Sequence, residues 1–191
     1  MDVKEVILTA AGLLGFKKEL EGYLSSASTM GKQKIDEMVD CFNLVESELA
    51  LDYLPLRIQE ECEVIDGKVA YEHFSQYPAH VTSVKKTDGE SLKFVLFPTE
   101  IALDTLESKV LVEYSYLPQK KGVLDESDYQ SRANVGLMAY GVAAAYCAAQ
   151  GLYTESAFWD KKYKESVALA CVGERKDARK RVGRMGSRKW V

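Results

Sequence analysis

The sequence predicts an α+β fold: an α-helical bundle with an inserted small antiparallel β-sheet subdomain and an extended C-terminal arm. Three observations predict it. Apolar residues recur at helical spacing over 1–57 and again over 121–172. Between 58 and 120 the apolar period changes to two, and over 173–191 it ends and the chain turns basic. The economical arrangement packs the early and late helices into one bundle, with the sheet as an insertion between them.

Taken in order, Val3, Val6, Ile7, Ala10, Leu13 and Leu14 lie at helical spacing, and Gly15 stands where a helix C-cap belongs. A second short helix is expected over 17–24. The run Ser25, Ser26, Ala27, Ser28, Thr29 reads as a loop that offers a hydroxyl to cap the next helix. That helix carries Ile35, Val39, Phe42, Val45, Leu49 and Tyr53 as its apolar stripe. Asp36, Glu37, Asp40, Glu46 and Glu48 are expected mostly outside it. Pro55 ends it, because the residue before proline is driven out of the helical region.

Two hairpins are expected next. One joins 62–65 to 68–71 through a type I′ turn at Asp66-Gly67, and the other joins 81–86 to 91–97 through Thr87-Asp88-Gly89. The segment 109–116 alternates, with Val110, Val112, Tyr114 and Tyr116 on one face and Glu113 and Ser115 on the other. About five strands in one sheet account for this region.

Helical character is expected to return near Asp125, where Asp125, Glu126 and Asp128 would meet the positive end of a helix. Val135, Met138, Val142, Ala145 and Ala149 share a face of that helix. Its small companions Gly136, Ala139, Gly141, Ala143, Ala144 and Ala148 let another helix approach closely. Gly151 stops it. A last helix starts near Thr154 and aligns Trp159, Tyr163, Val167 and Ala170.

Composition narrows the function classes. With 47% hydrophobic residues among 191, the chain can bury a substantial core. Cys41, Cys62, Cys147 and Cys171 are too scattered for a disulfide framework and read as reduced thiols in a cytosolic setting. The charged start at Asp2, Lys4 and Glu5 is unlike a signal peptide, and no apolar run has the length of a membrane span. The net charge of −4 conceals an asymmetry. From Glu174 to Val191 eight basic residues face two acidic ones, a net +6, which leaves −10 on the rest.

No constellation for catalysis emerges. His73 and His80 lack the companions of a zinc site. Gly31-Lys32 lacks the upstream glycine and the Ser/Thr of a phosphate loop, and reads as a surface loop. The cysteines read as small apolar core residues. A cryptic enzyme site around His73, His80 and Cys62 is the weakest of three readings; no cofactor and no metal are expected, and the chain is not expected to be an enzyme. The stronger signal is the tail. Arg175, Lys176, Arg179, Lys180, Arg181, Arg184, Arg188 and Lys189, with Trp190 as an aromatic anchor, form a partner-binding arm. The alternative is a nucleic-acid-binding module whose tail contacts phosphates.

Two stretches carry a family resemblance. The run from Tyr140-Gly141-Val142-Ala143-Ala144-Ala145-Tyr146-Cys147 through Gly151-Leu152-Tyr153-Thr154-Glu155-Ser156-Ala157 to Trp159-Asp160-Lys161-Lys162-Tyr163 resembles the C-terminal helices of tailed-bacteriophage head–tail connector (adaptor or neck) proteins. Val112-Glu113-Tyr114-Ser115-Tyr116-Leu117-Pro118 is similar to the closing strand of their inserted sheet. The resemblance implies a structural virion protein at the head–tail junction, assembled in the host cytoplasm as a homo-oligomeric ring, commonly a dodecamer. It implies portal protein and other neck or tail-completion proteins as partners, genomic DNA passing through the channel, and no membrane. It also implies that the arm from Arg175 to Val191 docks on the portal. An acidic body suits a channel wall along which DNA must slide. Many simpler adaptors lack such a sheet, which leaves open which ring of the neck this chain would form.

Overall fold

The computed structural model describes the backbone of residues 1–25, 29–130 and 133–185, and the side chains of those residues other than 29–30 and 173–185. Helices and antiparallel sheets coexist, and the fold is α+β. The chain divides into two compact units, one of Met1–Glu48 with Lys120–Val191 and one of Leu49–Gln119.

The helical unit contains α1 (Val3–Leu13), α2 (Lys17–Ser25), α3 (Thr29–Glu48), α4 (Val135–Ala149) and α5 (Tyr153–Met185). The expected loop over 25–29 shrinks: Ser25 ends α2, Thr29 begins α3, and 26–28 lie outside the described residues. Two helix ends are written in the sequence by glycine. Gly15 has φ 84° and Gly151 has φ 76°, the left-handed region that glycine enters at least cost. At the first, Phe16 N–H donates to the Ala11 carbonyl and Gly15 N–H to Gly12; at the second, Leu152 N–H donates to Cys147 and Gly151 N–H to Ala148. Both are Schellman closures, which satisfy carbonyls that the helix end would orphan.

The core of this unit is organised around α4, which contacts α1, α3 and α5. One buried face was expected of it. Instead Leu137, Met138, Ala139, Gly141, Val142, Ala143, Ala144, Tyr146 and Cys147 are all buried, while Val135, Ala145 and Ala149 are not. The reason is that three helices surround it, so nearly every side of its middle turns faces protein. Small side chains make this possible: a Cβ on Gly141 would lie 2.6 Å from Val45 Cγ1 and 3.1 Å from the Tyr163 ring.

The acidic stretch near Asp125 does not begin a helix. Helix α4 starts ten residues later, where the Asn134 side chain accepts the Leu137 N–H at 2.8 Å. Asp125 instead closes a turn by accepting the Gly122 N–H at 2.6 Å, and Asp128 pairs with Lys121 at 2.6 Å. Gly31 and Lys32, read as a loop, are helical in α3, where Gly31 makes room for the Tyr23 ring. The basic stretch also departs from an extended arm, since α5 continues without a break to Met185.

In the second unit a π-helical turn, Leu49–Tyr53, follows α3, with Leu54 N–H donating five residues back to the Leu49 carbonyl. Seven strands follow: β1 (Leu56–Glu63), β2 (Lys68–Ala70), β3 (Pro78–Lys86), β4 (Ser91–Leu92), β5 (Phe94–Leu96), β6 (Glu100–Leu103) and β7 (Lys109–Tyr116). They form two antiparallel sheets, ordered β1-β7-β3-β4 and β2-β6-β5, in place of the single sheet of about five strands expected.

Both expected turns form, but neither joins long partners. Asp66 (φ 49°) and Gly67 (φ 73°) take the left-handed conformations of a type I′ turn. The ladder they close is a single bridge, Ile65 to Lys68, because β1 pairs with β7 and β2 with β6. The turn at Gly89 likewise closes only Val84–Leu92 and Lys85–Ser91 before β5 enters the other sheet. Val69 and Ile101 from one sheet and Val84, Val110, Val112 and Tyr114 from the other share one buried cluster. The Tyr114 hydroxyl, at the edge of that cluster, donates to Glu60 Oε1 at 2.7 Å and accepts the Gln76 N–H at 3.3 Å.

Two stability measurements follow from this packing. Alanine at 141 gains about 1 kcal/mol of helix propensity but meets the stiff Val45, and overpacking costs about 1–3 kcal/mol. Gly141→Ala therefore lowers the denaturant midpoint, and adding Val45→Ala recovers part of the loss. Tyr114→Phe costs about 1–2 kcal/mol, because Glu60 and the Gln76 N–H lose a shared partner.

Candidate functional site

The two glycine-terminated helix ends and the start of α5 enclose a cleft of about 790 Å³ in the helical unit. Leu14 and Phe16 come from the end of α1, Cys147 and Leu152 from the end of α4, and Phe158 and Trp159 from α5. Phe16 and Leu152 are the residues just past each glycine, so the same closures that end the helices aim these side chains at the cleft. Phe16 stacks at a tilt on Tyr146, with centroids 5.6 Å apart, and Trp159 lies parallel to Tyr140 at 6.0 Å. Leu152 and Phe158 remain half exposed, so the apolar wall is open to a partner.

Few charged groups stand at the cleft. Lys34 places its ammonium 4.2 Å from the Phe16 ring centroid and is paired with Glu19 at 3.2 Å. Glu155 lines the cleft directly, and Gln150, which also lines it, donates to Glu37 at 3.2 Å. The cleft itself is thus lined by one ammonium, Lys34, and one carboxylate, Glu155, with Glu19 and Glu37 behind as partners of Lys34 and Gln150. The field is felt by the buried groups behind: burial raises the Tyr146 hydroxyl, and Glu37 and Glu19 push it further the same way. Burial also raises the Cys147 thiol, with Glu155 adding to the effect.

The predicted arm falls partly on α5. Arg175, Lys176, Arg179, Lys180, Arg181 and Arg184 occupy its last turns at helical register positions, with 175/179, 176/180 and 180/184 four residues apart. Arg188, Lys189 and Trp190 lie outside the described residues.

No protein-family model matches this sequence, and no curated protein matches it.

The residues weighed for catalysis are dispersed among structural tasks. Cys62 is buried in the sheet core, and burial, with Glu60 and Glu61 nearby, pushes its thiol up to about 12. Cys41 is pushed up to about 11 by burial, Asp40 and Glu37. Thiols held this high are protonated at neutral pH and are poor nucleophiles. His73 ends a short 3₁₀ turn, Tyr71–His73, and His80 lies in β3. Among the described residues no group of three or more His, Cys, Asp or Glu side chains is placed to hold a metal ion.

One chemically unusual residue was misplaced by the sequence. Glu46, expected on the solvent side of its helix, is fully buried. Its Oε1 accepts the Ser127 hydroxyl at 2.5 Å and the Asp128 N–H at 3.0 Å. Its Oε2 is buried with no hydrogen-bond partner among the described residues. Burial raises its pKa, and Asp128 adds to that, against the opposing pull of the two hydrogen bonds and Lys121. The signal was available: Glu46 is four residues after Phe42 and three before Leu49, both stripe positions. Nearby, Asn43 grips the Lys121 backbone twice, donating to its carbonyl at 3.0 Å and accepting its N–H at 2.7 Å. Together these two side chains of α3 fasten the segment that leads back into the helical unit.

The Glu46 environment sets a pH dependence. The folded state retains this proton above the pH at which the unfolded chain has released it, so stability falls as pH rises from the ordinary carboxylate value through the raised one. Glu46→Gln, which mimics the protonated acid, should flatten that slope in denaturant titrations at a series of pH values. Glu46→Leu should cost about 1–3 kcal/mol at any pH, because the Ser127 hydroxyl and the Asp128 N–H lose their acceptor.

Proposed function

We propose that this protein is a structural, ring-forming component of a tailed-phage head–tail junction, encircling the DNA channel and joining portal to tail. The observation that carries the reading is α5. It runs 33 residues, a rod of about 50 Å, and its last turns hold six of the basic residues. The last described side chain buried on it is Val167. A long helix with a cationic end is suited to reaching a second protein and docking on an acidic surface there, which fits the portal as partner. The basic register positions 175–184 are the docking element in this reading. The net charge of −10 over 1–173 suits a channel that passes DNA without holding it. The helical unit with a β insertion agrees with the layout on which the connector resemblance rests.

A second reading is favoured by one observation: the basic residues lie on a helix, the element that the DNA major groove admits. Salt separates the two. Phosphate binding through the tail would lose orders of magnitude in affinity between about 50 and 200 mM salt.

The deciding experiment is electron microscopy and co-sedimentation of the purified chain, alone and with portal protein. The expected result is a ring or a portal complex, with portal binding lost on deletion of 174–191 while the helical circular dichroism of the body persists. A chain that stays monomeric and ignores the portal sinks the proposal. Salt-sensitive DNA binding lost with the same deletion would replace it with the second reading.

A further inference from the structure

We infer that the outer edge of β5 is a self-association surface, which pairs antiparallel with β5 of a second copy of this chain about a two-fold axis at Val95. The inference goes beyond the ring reading and does not rest on it, because a two-fold contact pairs copies and cannot by itself propagate a ring.

β5 is the outer strand of the sheet ordered β2-β6-β5. Val95, Leu96 and the following Phe97 are 58%, 46% and 48% exposed. A sheet edge is a row of unpaired backbone groups, and folded proteins guard it with charge, proline or brevity. The edge strand β1 carries Arg57, Glu60, Glu61 and Glu63, β2 begins with Lys68, and β4 has only two residues. At β5 the run Phe94-Val95-Leu96-Phe97 is apolar throughout, with Lys93 before it.

The register shows which backbone groups are free. β5 pairs with β6 as Phe94–Leu103, Val95–Ala102 and Leu96–Ile101. In an antiparallel ladder, pairs that exchange hydrogen bonds alternate with pairs that do not. Phe97 N–H donates to the Glu100 carbonyl at 2.9 Å, so 97/100 is an exchanging pair and 95/102 is the next. Leu103 N–H donates to the Gly67 carbonyl instead, on the β2 side, so 94/103 does not exchange. The N–H and C=O groups of Phe94 and Leu96 therefore point away from β6.

That parity selects the occupant. Outward groups two residues apart are matched by the same two residues on an identical strand running the other way. Phe94 then exchanges hydrogen bonds with Leu96 of the other copy, Val95 meets Val95, and Phe97 meets Lys93. Phe94 already packs on the buried cluster of its own unit, and in the pair its ring would cover the other copy's half-exposed Leu96, a favourable cross-strand contact. Lys93, the charged residue of 93–97, falls at opposite ends of the paired strands, whereas parallel pairing in register would set the two ammoniums side by side. Self-pairing thus satisfies the open backbone groups with apolar residues against apolar ones and no like charges opposed. A contact of about five residues a side is small beside the ~20–30 of a standard interface, so it forms as concentration rises.

The test uses the full chain. In sedimentation equilibrium the parent should self-associate with concentration. Leu96→Pro removes an N–H that β6 does not use, so it should leave the circular dichroism unchanged and weaken association about tenfold or more. Val95→Lys, at an exposed position, sets like charges across the axis and should do the same. Cysteines then read the register, in a Cys171→Ser background that removes the native thiol that is not buried. Residues 95 and 95 would form a non-exchanging pair with Cα atoms about 4.5 Å apart, within disulfide range. With oxidised glutathione, Val95→Cys should give a crosslinked dimer. Phe97→Cys alone should not, since its two copies lie about 14 Å apart along the ladder, but mixed with Lys93→Cys it should. Three outcomes overturn the inference: a Val95→Cys chain that stays uncrosslinked, a Phe97→Cys chain that crosslinks as readily, or association untouched by both Leu96→Pro and Val95→Lys. A parent that stays monomeric at every concentration overturns it too, and leaves the edge to a strand from another protein.

Discussion

The helical unit depends on a close approach that only a missing side chain allows. At Gly141 the backbone of α4 comes so near Val45 and Tyr163 that a single methyl group has no place. Dispersion contacts are individually weak and fall away over fractions of an ångström, so the small residues that let α3 and α5 close on α4 convert a poor helix surface into a tightly filled interior. The burial of α1 follows from the same centre, since Val3, Val6, Ile7 and Ala10 have α4 to lie against.

Around that apolar centre, polar side chains hold the chain's path. Segment 120–129 has no regular helix or strand, yet it is pinned from two directions. Asn43 and Glu46 reach it from α3, while Met1 and Val3 exchange backbone hydrogen bonds with Ser127 and Asp125. A buried carboxyl is a costly way to fasten a loop. It is tolerable here because two donors converge on one oxygen and burial favours the neutral acid.

Local features were legible in the sequence and long-range partnerships were not. Gly15, Gly151, Asp66-Gly67 and the stripe from Ile35 to Val45 each declared a conformation, because φ preference and helical period act within a few residues. Which strand pairs with which depends on contacts between segments tens of residues apart: the Asp66-Gly67 turn passes the chain from β1 in one sheet to β2 in the other, while the turn at Gly89 does form a hairpin, cut to two residue pairs because β5 leaves for the other sheet. Glu46 lies inward because its place in the helix, four residues after Phe42 and three before Leu49, prevails over its charge. The cleft was half visible: both glycines that shape its mouth were read as helix ends, but nothing local says that those ends meet. The arm was recognised by charge alone, and its helical continuation was missed because polar residues of good helix propensity carry no apolar period.

The pairing of β1 with β7 has a quieter consequence. Leu56 faces Tyr116 across the ladder, so the first strand of the second unit begins beside the point where its last strand finishes, about 5 Å apart by ordinary strand spacing. Strands that start and stop side by side let a sheet module be entered and left at one place, at little geometric expense. The same adjacency makes the module a natural unit of grafting, open to replacement by another whose termini also emerge side by side.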